Sequence, residues 1–305
     1  MRLGIVDLDT SHPAAWLPVE RELGAEIVGL WDGGAVHPRG YAENFAREHR
    51  IGRVFSSLEE MVPAVDAVVI HGCDWDTHLA KAKPFIEAGK SVLIDKPVAG
   101  NLADLRQIGQ WAKAGARIFG GSSLRYAPEL TKWMALPESE RGTPHTALSG
   151  CAVDEFNYGI HAYTFACAVM GPGLSKVRWL GGSVQERVQL SWKDGRLAWV
   201  VVGEQAGGWM PFYGTIVTDR SFVQMQPKTD DLYRAYLERV WPWLAGDAQQ
   251  PPCAFEEMIE PELAAIAALQ SRQAEGAEVA IGEIAEAVCY DGAGFARRYR
   301  EQRYS

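Results

Sequence analysis

Four places in the chain set reactive side chains at the ends of apolar runs. The first is Asp7-Leu8-Asp9-Thr10-Ser11-His12-Pro13, directly after Leu3 to Val6. An apolar strand ending in D-x-D-x-T is the shape of a metal-dependent phosphohydrolase, in which one aspartate attacks phosphorus and the next exchanges a proton. Asp7, Asp9 and His12 also offer three ligands of the kind that hold a divalent ion. The third possibility is nucleotide binding. There the turn usually reads G-x-G-x-x-G, with glycines letting the backbone approach a pyrophosphate at a helix N-terminus. Here Asp7, Asp9 and His12 take the glycine positions, and two carboxylates would repel the pyrophosphate, while Thr10 and Ser11 are suited to cap a helix or touch phosphate. The second place is Asp32, which ends the next apolar run where an acid gripping an adenosine ribose is expected. The third is Val92-Leu93-Ile94-Asp95-Lys96-Pro97, whose lysine would point into a ligand crevice and exchange a proton with a hydroxyl or carbonyl. The fourth is Asn157-Tyr158-Gly159-Ile160-His161, where a helix would put Asn157 and His161 on one face and His161 could act as acid, base or hydrogen-bond partner.

The elements that must hold these groups follow two patterns. Up to residue 121, strand runs alternate with amphipathic stretches: Leu3 to Val6, Ile27 to Trp31, Ala67 to Ile70, Ser91 to Ile94 and Ala116 to Phe119. Between them, 76–88 and 101–114 repeat apolar residues at helical spacing, and Gly89 and Gly115 stop them. Pro84 predicts a kink or a late start in the former. Strands apolar throughout and separated by helices mean a parallel sheet covered on both faces, so 1–121 reads as a doubly wound, Rossmann-like α/β domain. From about 145 to 227 strands dominate, among them Val188 to Trp192, Leu197 to Val202, Phe212 to Val217 and Ser221 to Met225, with Lys193-Asp194-Gly195-Arg196 as a hairpin turn. Helical stretches at 229–245, 254–275 and 293–302 and a strand at Glu278 to Ile281 complete 122–305, an α+β domain on a mostly antiparallel sheet.

Composition narrows the function. The chain has 305 residues, 47% of them apolar, and a net charge of −9. That balance argues against nucleic-acid backbones and anionic membranes as partners. No apolar run is long enough to span a bilayer, and Asp7 and Asp9 interrupt the place of a signal peptide's apolar stretch. Five scattered cysteines without C-x-x-C read as reduced thiols in a cytoplasm.

Taken together, these residues resemble the Gfo/Idh/MocA family of nicotinamide-dependent oxidoreductases. Asp95-Lys96-Pro97 is similar to its E-K-P, and Gly89-Lys90-Ser91-Val92-Leu93 to its A-G-K-x-V-L approach. Arg125-Tyr126-Ala127-Pro128 resembles its R-[FY]-x-P at the start of the second domain, and Gly159-x-His161 its D-x-G-x-H-x-x-D. The stretch from Arg272 to Val279 resembles the closing helix and strand. The first loop resembles a branch with G-L-D-T-S-H in place of the fingerprint.

The resemblance implies catalytic roles for Lys96 and His161, with Asn157 where many members carry an aspartate. It implies cofactor contacts from Leu8, Asp9, Thr10, Ser11, His12, Asp32, Cys73, Asp74, His78, Asp95 and Lys96, and substrate contacts from Trp75, Arg125, Tyr126 and Tyr158. The implied cofactor is NAD, with NADP possible, and the implied substrate a sugar, polyol or related hydroxy compound. A homodimer or homotetramer is expected, with Trp192, Trp199 and Trp209 lining an open sheet face. No metal is expected. The alternatives are a non-redox descendant of the fold (a ligand-binding protein, lyase or isomerase) and the phosphohydrolase. Gly282 to Ser305 carries no legible role.

Overall fold

The computed structural model describes residues 1–204 and 207–305. Five strands, β1 (Arg2–Val6), β2 (Glu26–Trp31), β3 (Ala67–Ile70), β4 (Ser91–Ile94) and β5 (Ile118–Gly120), form a parallel sheet in the order β2-β1-β3-β4-β5. Every residue of β3 and β4 is buried, as their unbroken apolar sequences require of strands with helices on both faces. The order reverses between β1 and β3, and ligands of open α/β sheets bind beyond the carboxyl ends of the strands at such a point. All seven strands and helices expected in this half lie within two residues of their observed positions, β5 being shifted toward Gly120. Helix His12–Glu22 follows β1 and begins with Pro13 in its first turn, where a missing N–H costs nothing. Helix His78–Glu87 begins late, after a 3-10 turn at Trp75–Thr77, and runs through Pro84. Asn101 caps helix Leu102–Lys113 by accepting the Asp104 N–H at 2.9 Å.

Seven further strands form the second sheet: β6 (Pro144–Gly150), β7 (Leu174–Gly182), β8 (Glu186–Trp192), β9 (Leu197–Val202), β10 (Tyr213–Thr218), β11 (Phe222–Met225) and β12 (Val279–Ala280). Their order is β11-β10-β6-β9-β8-β7-β12, antiparallel except for the β6–β9 pair. The turn after Trp192 closes as expected, with Gly195 in the left-handed region at φ 90°. Strict alternation in β9 and β10 sends Ala198, Val200, Val202, Gly214 and Ile216 into the core and leaves Leu197, Trp199, Tyr213 and Thr215 half-buried on the other face. Helix Ile160–Met170 covers the buried face. Its Phe165 ring lies where a side chain at position 214 would be, since a Cβ on Gly214 would come within 2.2 Å of it. Trp192 does not line the open face as expected. It is buried and donates its indole N–H to the Gly171 carbonyl at 2.8 Å. Trp199 does lie on that face, and Trp209 is 55% exposed in the loop before β10.

The chain divides into two compact units. One comprises Met1–Gly121, Leu237–Phe255 and Asp291–Ser305, and the other Ser122–Tyr236 and Glu256–Tyr290. Sequence periodicity instead groups all of 122–305 as one α+β domain. Specific bonds tie the first of these late segments to the rest of the unit: Ser91 donates to the Leu244 carbonyl, and Arg117 to those of Trp243 and Ala248. Local periodicity reveals such helices but not which core they join.

Candidate active site

The turn after β1 resolves the conflict posed by its carboxylates. Asp7 has φ 65°, the left-handed conformation that glycine supplies elsewhere and that aspartate tolerates better than most residues. Its side chain is fully buried and turns back into the sheet end. One carboxylate oxygen accepts from Lys81 Nζ at 2.5 Å and the other from the Gly33 amide at 3.1 Å. A Cβ on Gly72 would stand 2.7 Å from that carboxylate, so the loop after β3 must be bare there. Asp9 is also buried and accepts the Cys73 N–H at 2.9 Å. Burial, and then the Asp7 charge, push its carboxyl up to about 7.

This arrangement removes two readings of the loop. A buried aspartate locked to a lysine cannot attack phosphorus, so the phosphohydrolase falls. Asp7, Asp9 and His12 do not assemble as a metal site either, because His12 turns away to Asp95. The same arrangement suits a pyrophosphate. Asp7 is matched by a cation, Asp9 is directed inward, and the helix start brings the Ser11 side chain beside Thr10, whose hydroxyl accepts the His12 N–H at 3.2 Å.

His12 Nδ1 donates to Asp95 Oδ2 at 2.5 Å, and buried His71 donates to the same oxygen at 3.3 Å. Trp16 backs both rings, stacked on His12 and edge-on to His71. Despite its burial, Asp95 is held well below the usual carboxylate range by these two imidazoles. These three residues alone, among those described, gather atoms close enough to hold a metal ion. Asp95 Oδ1 accepts the Lys96 N–H at 2.7 Å. The triad thus joins the ends of β1, β3 and β4 and fixes the backbone that presents Lys96, whose side chain is largely buried. Sequence reading places His12, Asp95 and the His71 loop near the cofactor but does not join them, because nothing in the spacing links residues 12, 71 and 95.

The remaining expected cofactor contacts divide. Asp32 is half-buried, and its carboxylate accepts the Leu8 N–H at 3.3 Å. Burial followed by the Asp7 charge raises its pKa. Leu8 and Cys73 are buried. Asp74 caps the short turn after β3 by accepting the Asp76 N–H at 3.3 Å. His78 is fully buried with its ring nitrogens 3.1 Å from the Val98 carbonyl and 2.8 Å from that of Gly72, so it braces the loop and presents no edge to a cofactor. Trp75 was expected to meet substrate. It is buried in the first unit against Phe295, with ring centroids 5.2 Å apart.

In the second unit, His161 lies in the first turn of helix Ile160–Met170. Asn157 precedes the helix, in a turn where Asp154 accepts the Phe156 and Tyr158 N–H groups at 3.0 and 2.9 Å. The helical spacing invoked for the Asn157–His161 pair therefore does not apply. Both are nearly buried. The Ser122 hydroxyl lies 2.6 Å from His161 Nδ1, and the rings of Tyr158 and Phe212 flank the imidazole. Ser122 is a positioning residue that sequence reading used only as a domain boundary. Tyr158 stacks on Phe212 and accepts from the Trp209 indole at 2.9 Å. Arg125 donates to the Glu257 carbonyl at 2.6 Å, and Tyr126 leans on Tyr236. These bonds give Arg125 and Tyr126 places in the scaffold of the second unit.

Comparison with known proteins agrees with this architecture. Residues 4–120 match the family model of the Gfo/Idh/MocA oxidoreductases, described as having an NAD-binding Rossmann fold. The family likeness thus covers the N-terminal Rossmann region of the chain. A 1,5-anhydro-D-fructose reductase from Ensifer adhaerens is 32% identical over 121 residues, 39% of this chain and 35% of that protein. The chain spans two fifths or less of the length of each of the curated relatives it matches. Solved structures extend the likeness of fold to nearly the whole chain. A scyllo-inositol dehydrogenase from Lactobacillus casei superposes with a TM-score of 0.77 at 15% identity, covering 92% of this chain and 98% of that one. GenD2 from gentamicin A biosynthesis, solved in complex with NAD, gives 0.76 at 16% identity over 92% and 96%.

Proposed function

We propose that this protein is a member of the Gfo/Idh/MocA family and an NAD(P)-dependent oxidoreductase acting on a sugar, polyol or related hydroxy compound. The observation that carries the proposal is the turn after β1. Its carboxylates are neutralised or directed inward, and the helix N-terminus behind it is left to receive a pyrophosphate. Thr10, Ser11 and His12 would hold the phosphates, and Asp32 a ribose. An acid at Asp32 disfavours a 2′-phosphate, which supports NAD over NADP. When bound, the nicotinamide supplies the hydride acceptor or donor.

The rest of the chemistry belongs to the chain. Lys96 takes the proton from the substrate hydroxyl in oxidation and returns it in reduction. The His12–Asp95–His71 triad fixes the backbone from which Lys96 projects. His161, oriented by Ser122, hydrogen-bonds the hydroxyl, and Asn157 supplies a polar but non-ionising neighbour in place of a carboxylate. Tyr158 offers the substrate an aromatic and hydroxyl surface. We further propose a cytoplasmic homodimer or homotetramer. Among the described residues the cysteines are free thiols, and no helix is long and apolar enough to cross a membrane.

The test is a screen of polyols and sugar alcohols with NAD and NADP, followed by absorbance of the reduced nicotinamide. Turnover of one compound is expected, with kcat lowered at least 100-fold in Lys96→Ala and NADH affinity within a few-fold of the parent. Equal turnover in parent and variant would remove Lys96 from the mechanism.

A further inference from the structure

The helix Gly292–Tyr304, without a legible role in the sequence, belongs to the first unit. It is fastened to the loops that follow β2 and β3, and through His37 to the loop that follows β1. At its N-terminus, Asp76 Oδ2 accepts the Gly292 and Ala293 N–H groups at 2.9 and 3.2 Å. One turn on, Phe295 packs on Trp75, and Ala296 shares a buried cluster with Val36 and Cys73, lined by Tyr299. At the far end, the Tyr304 hydroxyl lies 2.5 Å from His37 Nδ1. His37 Nε2 donates to the Leu8 carbonyl at 3.0 Å, so Nδ1 is the acceptor and the tyrosine the donor. Tyr41 stacks on the other face of that imidazole at 3.5 Å.

In a dinucleotide-binding domain the acid at the end of β2 meets the adenosine ribose. The base then lies farther out, between the loops that follow β2 and β3. Here Asp32, Gly33 and Gly34 still reach solvent, but the next residues, Val36 and His37, and Cys73 across from them are buried by the C-terminal helix. We infer that Gly292–Tyr304 occupies the seat of the cofactor's adenine, so that helix and base compete for one slot between the β2 and β3 loops. The inference rests on the dinucleotide reading above and deepens it. The groups from Asp32 past Thr10 and His12 to Lys96 take the ribose-phosphate and nicotinamide portions. The adenine is admitted only when the helix yields. Apparent affinity for the whole dinucleotide is then reduced by the fraction of molecules in which the slot is closed, and affinity for a mononucleotide is not.

The full chain tests this with two probes, NADH and reduced nicotinamide mononucleotide. Hydrogen exchange of the 292–304 amides is expected to quicken on saturation with NADH and to stay unchanged with the mononucleotide. A loosened variant, Asp76→Ala with Tyr304→Phe, is expected to bind NADH at least tenfold more tightly by calorimetry and the mononucleotide within twofold of the parent. Slower exchange across 292–304 with NADH would make the helix a wall of the adenine seat and overturn the inference. So would an unchanged NADH affinity in a variant whose helix exchanges faster than the parent's. If neither probe binds parent or variant, the dinucleotide reading itself is lost and the inference with it. Mononucleotide binding in both, with NADH binding only in the variant, supports both.

Discussion

Asp7 and Lys81 form a buried ion pair whose members stand far apart in sequence, one after β1 and one in helix His78–Glu87. Breaking such a pair leaves an uncompensated buried charge, which costs roughly 3–5 kcal/mol, whereas removing both charges costs far less. Lys81→Met is therefore expected to lower unfolding stability by about that amount in denaturant titrations. Asp7→Asn with Lys81→Met is expected to recover most of it, since asparagine also tolerates the left-handed backbone. Asp9 gives a pH dependence of known sign. Its folded carboxyl binds the proton more tightly than an unfolded one, so its contribution is present below pH ~4 and is lost as pH rises through about 7. Asp9→Asn is thus expected to match the parent near pH 4 in thermal melts and to exceed it by several degrees at pH 8. A parent more stable than the variant at pH 8 would show that Lys81 compensates both aspartates. At this scale the sequence showed the site's residue types and concealed their directions. Asp7 and Asp9 read as a barrier to phosphate because spacing alone does not show that Lys81 lies behind them.

Elements were legible where the pattern was purely local. The four-residue runs AVVI and SVLI became β3 and β4 with the expected ends, and the Lys193–Arg196 turn closed as read. β6 and β7 carry weaker alternation and draw their pairing from distant partners, so they had no separate sequence signature. Packing between elements gives the next prediction. Gly214 sits in mid-strand in β10, where the ring of Phe165 fills the volume a side chain would need. Gly214→Ala is expected to destabilise by about 1–3 kcal/mol, the usual cost of overfilling a packed core. Gly214→Ala with Phe165→Leu is expected to be less destabilised than the sum of the single changes, because the shorter side chain makes room. Additivity of the two, measured by denaturation, would place the strain elsewhere.

For the molecule as a whole, sequence periodicity assigned helices and strands to two folds but could not show that the chain returns. Residues 237–255 and 291–305 rejoin the first unit after the second has begun, through bonds such as Ser91 to Leu244 and Tyr304 to His37. That return places a helix beside the loops where a dinucleotide's base would lie, so cofactor affinity and the packing of the chain's end are one equilibrium. In the proposed function, a turn bearing aspartates in place of glycines still receives a nicotinamide nucleotide. The most direct measurement is a calorimetric titration of the full chain with NADH and with reduced nicotinamide mononucleotide. Saturable binding of the mononucleotide at one site per chain is expected, with NADH binding at that same site. A folded protein that gives no heat with either ligand up to millimolar concentration would contradict it and leave a Rossmann fold serving some other ligand.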